Sequence, residues 1–182
     1  MMLWLTCHTD GDRVLEDLLR PGLRLLICGS AVGAKSAARG AYYAGPGNKF
    51  WTVLYEVGLT PRRLTPPEYR DLLLFGIGLT DVVKQQSGSD AEIDFKRSEV
   101  SQLRERVLEL QPAILAFNGK KAAQVFSGNP RIEFGRQENS IGVTRLFVAP
   151  STSGAANGYW DIHYWQELGR LARKVASAAD SL

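Results

Sequence analysis

The chain has 182 residues, 45% of them hydrophobic and 23% charged, which is enough for one domain whose core needs neither disulfides nor metal. Its two cysteines, Cys7 and Cys28, lie far apart and belong to no paired Cys or His spacing, which excludes a zinc site or an iron–sulfur cluster built on them. The net charge of +3 permits nucleic-acid binding, but there is no basic tail, so any site for a polyanion must be a shaped one.

Strands and helices are predicted to alternate along the chain. Four short apolar runs predict buried strands at residues 23–28, 74–79, 113–117 and 145–148. Helical periodicity predicts helices at 48–57, with Asn48 as N-cap, and at 98–110, followed by a last helix capped by Asp161 with an apolar stripe of Tyr164, Leu168, Leu171 and Val175. This order predicts an α/β fold, a three-layer α/β/α sandwich around a mostly parallel sheet of four to five strands.

The whole chain, residues 1–182, is interpreted as a single domain with a core at about 20–175 and a frayed tail at 176–182. No stretch approaches the roughly 20 apolar residues of a membrane span, and the first segment has too short an apolar run for a signal peptide. We therefore expect a soluble, monomeric, cytoplasmic protein without membrane contact, associated with the nucleoid if the source is bacterial. In parallel sheets, ligands bind beyond the carboxyl ends of the strands.

The loop after the first predicted strand, residues 29–36, nearly matches a phosphate-binding P-loop. Ala34 stands where the second glycine of that motif belongs, and its Cβ would crowd a backbone that must surround phosphate. A nucleotide hydrolase that depends on Lys35 is therefore the weaker interpretation of this loop.

Residues 29–51, GSAVGAKSAARGAYYAGPGNKFW, resemble the first motif of thymine-DNA and mismatch-specific uracil-DNA glycosylases, which begins G-x-N-P-G, continues to an aromatic residue and ends P-x-N-x-F-W. The matching residues are Gly29, Gly33, Tyr43, Asn48, Phe50 and Trp51. Three later segments resemble the family in the family's order: GLTDVVK at 78–84, FNGK at 117–120 and PSTSG at 150–154. The chain is thus similar to the uracil-DNA glycosylase superfamily.

The resemblance implies a monofunctional glycosylase of DNA base-excision repair that needs no cofactor and no metal. Such an enzyme flips a deaminated base, here uracil in the first place, out of DNA and hydrolyses its N-glycosidic bond to leave an abasic site. Two alternatives stay open: a glycosylase for hypoxanthine or xanthine, and a protein that binds damaged DNA without cutting it. In each case the partner is DNA that contains uracil or another deaminated base.

The resemblance also implies where the base binds. Tyr43 is expected to stack on the flipped base, and the groups beside it are expected to be Gly29, Ser30, Ala31, Asp81 and Asn118. Asp81 stands where many members have an asparagine that hydrogen-bonds the uracil edge. An ionised carboxylate accepts from N3–H but cannot donate to O4. Backbone N–H groups then bind O4, or burial keeps the carboxyl protonated, or the preferred base is another one, such as hypoxanthine.

Catalysis is expected at Asn48 and Asp81. Ala31 occupies the position where the family has an asparagine or an acidic residue that handles water, and a methyl group can neither bind water nor accept a proton. Hypoxanthine-DNA glycosylases of the superfamily also lack that residue, and there an asparagine of P-x-N-x-F-W is implicated; it matches Asn48. The alternative role of Asn48 is that of a helix N-cap.

The remaining expected contacts are with the DNA backbone or with the gap left by the flipped base. These residues are Lys35, Lys120, Ser151, Ser153, Gly154, Ala155, Asn157 and His163. Two of the candidates also have structural interpretations. Asn118 is expected to cap the helix that follows it, and His163 has packing as its alternative role.

Overall fold

A five-stranded sheet forms the centre of the molecule in the computed structural model, which describes residues 14–179. The strands are β1 Leu25–Gly29, β2 Ile77–Asp81, β3 Ile114–Asn118, β4 Gly135–Ile141 and β5 Thr144–Ala149. Their order is β2-β1-β3-β5-β4, and all neighbours are parallel except β4, which pairs antiparallel with β5. The predicted α/β class with a mostly parallel sheet is confirmed.

Helices cover both faces of this sheet. They are α1 Ala34–Arg39, α2 Phe50–Glu56, α3 Arg97–Leu110, α4 Lys120–Ser127 and α5 Ile162–Ala179, with 3-10 helices at Pro66–Phe75 and Gly154–Tyr159. Successive strand residues point to opposite faces, so Leu25 and Ile27 pack with α2 and α5, whereas Leu26 and Cys28 pack with α3 and α4. Because both faces are covered, every residue of β1 is buried, and β1 is an apolar run.

The second predicted strand begins too early. Leu74 and Phe75 end the 3-10 helix Pro66–Phe75, and Leu74 is 78% exposed. Gly76 follows with a left-handed φ of 68°, which ends the helix, and β2 starts at Ile77. The strands β1, β2 and β3 in turn continue one or two residues beyond their predicted ends, to Gly29, Asp81 and Asn118.

Strand β4 has no counterpart among the four predicted strands. Its sequence GRQENSI is largely polar because β4 lies at the edge of the sheet and its central residues are mostly exposed. The turn at Gly142, with φ 55°, connects it to β5. An edge strand of this kind lacks the apolar run by which buried strands are recognised.

The last helix begins as predicted, because Asp161 Oδ1 accepts a hydrogen bond from the His163 amide at 2.9 Å. The centre of its buried face is formed by Trp165, Leu168 and Ala172, whereas Tyr164 and Leu171 of the predicted stripe are only half-buried. The helix continues to Ala179, through the first residues of the predicted tail. Cys7 and residues 180–182 lie outside the described residues. None of the helices between residues 14 and 179 is long and apolar enough to cross a membrane.

Candidate active site

The carboxyl ends of β1, β2, β3 and β5 open onto a cleft of about 1000 Å³. Most of its lining comes from five segments: residues 29–36 after β1, 42–48 before α2, 81–92 after β2, 118–122 at the end of β3 and the start of α4, and 151–159 after β5. Predicted residues that line it are Gly29, Ser30, Ala31, Lys35, Tyr43, Asn48, Asp81, Asn118, Lys120, Ser151, Ser153, Gly154 and Ala155. The sheet thus brings together segments that are more than 100 residues apart in the sequence.

Asp81 and Gly29 form the floor of the cleft. They are paired across neighbouring parallel strands, as the last residues of β2 and β1. A methyl group at Gly29 would lie 2.5 Å from Asp81 Oδ1 and 3.6 Å from the Tyr43 hydroxyl. Because Gly29 has no side chain, the Asp81 carboxylate can occupy this space, with Oδ1 packed against Gly29.

Behind the floor, the other carboxylate oxygen of Asp81 belongs to a buried charge network. Lys84 Nζ lies 3.5 Å from Asp81 Oδ2, 2.7 Å from Asp17 Oδ1 and 3.1 Å from the Tyr42 hydroxyl. The side chains of Lys84, Asp17 and Asp81 are 12%, 4% and 3% exposed. Tyr42 itself is buried. Within this network only Asp81 and Lys84 are close in the sequence, three residues apart, whereas Asp17 and Tyr42 are distant from both.

Burial shifts the pKa values in this network. Burial raises the pKa of Asp81 above its ordinary 3.8; the Lys84 ammonium opposes this rise, and the Asp17 carboxylate adds to it. Burial lowers the pKa of Lys84, but the nearby Asp81 and Asp17 carboxylates outweigh it and raise that pKa above 10.5. Lys84 is therefore a cation at neutral pH, and it lies beside a carboxyl group whose proton affinity is elevated.

Tyr43 lies beside Asp81 in an unusual backbone conformation, with φ 52°. Its ring stacks on Phe50 with centroids 3.8 Å apart and an interplanar angle of 22°. Its hydroxyl is buried near the Asn118 side chain, without a hydrogen bond of good geometry to any residue between 14 and 179. Phe50 covers one face of the ring, so stacking on a flipped base would use the other face.

Asn48 takes part in starting helix α2. Its Oδ1 accepts a hydrogen bond from the Phe50 amide at 3.0 Å, one residue earlier along the chain than the formal N-cap position at Lys49. The side chain also lines the cleft and is partly exposed. The predicted N-cap position is therefore wrong by one residue, although Asn48 Oδ1 does bind an amide of the first turn; the amide Nδ2 is the group of Asn48 that catalysis would use.

Asn118 does not cap α4, and that prediction is wrong. The N-cap position is Gly119, with φ 110° and no side-chain hydrogen bond. Asn118 instead binds Thr152 twice: Oδ1 accepts from the Thr152 amide at 2.9 Å, and Nδ2 donates to Thr152 Oγ1 at 2.9 Å. These two hydrogen bonds hold the loop after β5 against the end of β3.

The loop after β5 is held mainly by its own polar groups and by the loop before α2. Ser151 Oγ accepts from the Ser153 amide, and Ser153 Oγ accepts from the Ala155 amide, both at 3.3 Å. The Lys49 amide donates to the Thr152 carbonyl at 2.9 Å, and a methyl group at Gly154 would lie 3.4 Å from the Gly47 carbonyl oxygen. The side chain of Asn157 accepts a hydrogen bond from Lys49 Nζ.

The predicted phosphate-binding side chains differ in their surroundings. Lys35 is exposed at the cleft, whereas Lys120 is paired with Glu133 at 2.8 Å and lies over the Phe134 ring. His163 is not among the cleft-lining residues, and its side chain is 83% exposed beside Asp161. The packing interpretation of His163 is therefore wrong.

Three features of the cleft were missed by the sequence analysis. The carboxylate of Asp90 binds the hydroxyl of Ser30, directly before Ala31. Tyr159, in the 3-10 helix Gly154–Tyr159, is 79% exposed and lines the cleft. Ser36 of the P-loop-like segment is buried and accepts a hydrogen bond from the Ala44 amide, so its hydroxyl is used in folding the loop. Between residues 14 and 179, no group of three or more His, Cys, Asp or Glu side chains is arranged to hold a metal ion.

Two comparisons with known proteins bear on this cleft. A family model described as the uracil DNA glycosylase superfamily matches residues 16–169, a range that includes all five strands and every cleft-lining residue. The fold is similar to the solution NMR structure of a candidate uracil DNA glycosylase from Methanosarcina acetivorans, with a TM-score of 0.62. The two sequences are 22% identical, and the similarity covers 91% of this chain and 98% of that one.

Proposed function

The chain belongs to the uracil DNA glycosylase superfamily, and on that basis we propose that it is a monofunctional DNA glycosylase whose preferred substrate is uracil in DNA. The observation that carries the proposal is the Asp81 carboxylate on the floor of the cleft, beside Gly29 and the ring of Tyr43. A flipped uracil presents one ring N–H, at N3, and Asp81 Oδ1 is the acceptor for it. Backbone N–H groups then bind the base oxygens.

The loops around this floor have complementary roles in the proposed reaction. Tyr43 covers one face of the base, and the Ser151–Ser153 turn and Lys35 bind the flanking phosphates. As the N-glycosidic bond breaks, positive charge develops on the sugar and negative charge on the base. The Nδ2 group of Asn48 positions water at the sugar carbon, because Oδ1 is already bound to the Phe50 amide.

Oligonucleotides that contain a single uracil, hypoxanthine, xanthine or thymine opposite each normal base test this proposal. Alkali cleaves the strand wherever an abasic site has formed, so strand breaks measure base removal. We expect uracil to be removed fastest. Faster removal of hypoxanthine or xanthine would favour a glycosylase for deaminated purines. Binding to these oligonucleotides without any cleavage would show that the protein binds damaged DNA but is not a glycosylase.

Replacement of Gly29 by alanine should lower kcat/KM for uracil removal by about tenfold or more, because a shift of a binding group by about 1 Å is costly to catalysis. The new methyl group would lie 2.5 Å from Asp81 Oδ1 and must displace the carboxylate. Gly158→Ala is the matched control, since Gly158 is not among the cleft-lining residues and nothing lies within 4 Å of its methyl group. Equal activity of the two variants would show that the position of Asp81 is unimportant.

Replacement of Tyr159 by alanine should reduce uracil removal from double-stranded DNA about tenfold more than from single-stranded DNA. Tyr159 is an exposed aromatic side chain at the cleft, and stacking of a base on such a ring contributes about 1–3 kcal/mol. Only a duplex has a stacked gap to fill when the base flips. Tyr55→Ala is the control, because Tyr55 is also exposed, at 49%, but lies outside the cleft lining. An unchanged ratio between the two substrates would argue against this role.

A further inference from the structure

We propose that Lys84 is a positioning residue that keeps the Asp81 carboxylate ionised, so that the cleft accepts bases that present a ring N–H and rejects those that present a bare ring nitrogen. This inference rests on the proposed function and goes beyond it, because it assigns the choice of base to a side chain behind the binding surface. Its basis is the geometry of the buried network around Asp81.

The ammonium of Lys84 is fully used within this network. An ammonium has three N–H donors, and Nζ has three oxygen partners within 3.5 Å, on Asp17, Asp81 and Tyr42. The Lys84 side chain is only 12% exposed. Its position relative to Asp81 is therefore set by the fold, and Oδ2 of Asp81 faces a cation whatever occupies the cleft.

The ion pairs around Asp81 favour its ionised form. Asp17 binds Lys84 through Oδ1 and the Arg106 guanidinium through Oδ2, and its Oδ1 also accepts from Thr80 Oγ1 at 2.7 Å. Among the residues between 14 and 179, the ion pairs of this network join two cations, Lys84 and Arg106, to two carboxylates when Asp81 is ionised, and Lys84 then compensates part of the cost of burying that carboxylate. Burial favours the protonated carboxyl, and Lys84 favours the carboxylate. The titratable groups that face Asp81 are Asp17, Cys28, Tyr42, Tyr43 and Lys84.

An ionised Asp81 separates the deaminated forms of cytosine and adenine from their parent bases. A carboxylate only accepts hydrogen bonds. Cytosine N3 and adenine N1 carry lone pairs, which a carboxylate repels. Deamination converts them into uracil N3–H and hypoxanthine N1–H, which a carboxylate binds. Guanine N1–H and thymine N3–H are donors as well, so the exclusion of these two normal bases must come from the shape of the cleft.

The same cation serves the bond-breaking step. The base leaves with negative charge, and a lone carboxylate beside it would oppose that charge. Lys84 Nζ lies 3.5 Å from Asp81 Oδ2, on the side away from the cleft. The positive charge of Lys84 therefore offsets much of the repulsion between the Asp81 carboxylate and the departing base. Asp81 can thus bind N–H without the full electrostatic cost of an isolated anion.

Two substitutions in the network are expected to shift the pKa of Asp81 in opposite directions. Lys84→Met removes the cation, so the pKa of Asp81 should rise and the acid limb of kcat/KM for uracil should move to higher pH. Asp17→Asn removes the neighbouring negative charge, so the pKa of Asp81 should fall and the acid limb of kcat/KM for uracil should move to lower pH. The Asp81 carboxyl is followed by carbon-13 NMR and assigned by its disappearance in Asp81→Asn. Lys84→Arg should restore most of the wild-type profile, and Lys96→Met, on the exposed surface, should not change it.

Identical Asp81 titrations in the wild type and both network variants would overturn the inference. If Lys84→Met does not fold, as judged by circular dichroism, the sign of the Asp17→Asn shift decides instead. The NMR titration needs no substrate. A wild-type protein that removes no base would therefore contradict the proposed function, while the titration still tests the action of Lys84 on Asp81.

Discussion

Replacing Asp81 by alanine should lower kcat/KM for uracil removal about 10³-fold, which is the upper end of what the loss of one preorganised hydrogen-bonding group costs. The variant removes the acceptor on the floor of the cleft, where the carboxylate is 3% exposed and lies against Gly29. Lys84 keeps its shorter contact with Asp17 at 2.7 Å, so the interior cation stays paired. The measurement is single-turnover cleavage of a uracil oligonucleotide at several pH values.

Asp81→Asn separates hydrogen bonding from charge in the same experiment. An asparagine oxygen still accepts from N3–H, so we expect far more activity than in Asp81→Ala, and its amide cannot titrate, so the acid limb of the pH profile should vanish. Loss of activity in Asp81→Ala with the acid limb unchanged in Asp81→Asn would assign that limb to another group. Full activity of Asp81→Ala would remove Asp81 from the site.

Thermal unfolding provides the control for these two variants. Because burial raises the pKa of Asp81, the folded protein holds this proton more tightly than the unfolded chain does. The stability linked to the proton is complete below the unfolded pKa near 3.8 and is lost as the pH rises through the folded pKa. Asparagine resembles the protonated form at every pH. Asp81→Asn should therefore unfold at no lower temperature than the wild type at pH 7.

The sequence was sufficient to predict that Gly29, Asp81 and Asn118 gather at the cleft. Gly29, Asp81 and Asn118 each follow an apolar run, and the carboxyl ends of parallel strands lie at one edge of a sheet. The structure makes each of them the last residue of its strand. The same rule of apolar runs fails for β4, whose exposed edge position requires no such run.

The distant partners of the polar residues at the cleft and behind it could not be predicted from the sequence. Asp17 binds Thr80 across 63 residues and Arg106 across 89, and no local spacing relates them. Asn118 precedes a helix, a position that favours a cap, but Thr152 offers its side chain both an amide and a hydroxyl. Tertiary contacts therefore determine what each polar group does, whereas the pattern of strands determines only where it lies.

Replacing Asn48 by serine should lower kcat/KM for uracil removal about 10²-fold while the protein unfolds at nearly its normal temperature. Serine still offers an oxygen to the Phe50 amide, which Asn48 Oδ1 binds at 3.0 Å, but it lacks the amide Nδ2. Asn48→Ala should lose the same activity and, in addition, about 1 kcal/mol of stability, because the cap is also lost. Cleavage kinetics and thermal denaturation measure the two effects separately.

Asn129 is a matched control for Asn48. Its Oδ1 accepts from the Arg131 amide at 3.0 Å, the same two-residue geometry, on the exposed surface outside the cleft lining. Asn129→Ser should therefore leave activity unchanged. Because Nδ2 is only a donor, it can bind the oxygen of the water molecule but cannot accept a proton from it. The proton that the water loses must therefore pass to a carboxylate. If Asn48→Ser retains full activity, Asn48 is structural, and the water is then expected to bind Asp90, which lines the cleft and accepts a hydrogen bond from Ser30, the residue before Ala31.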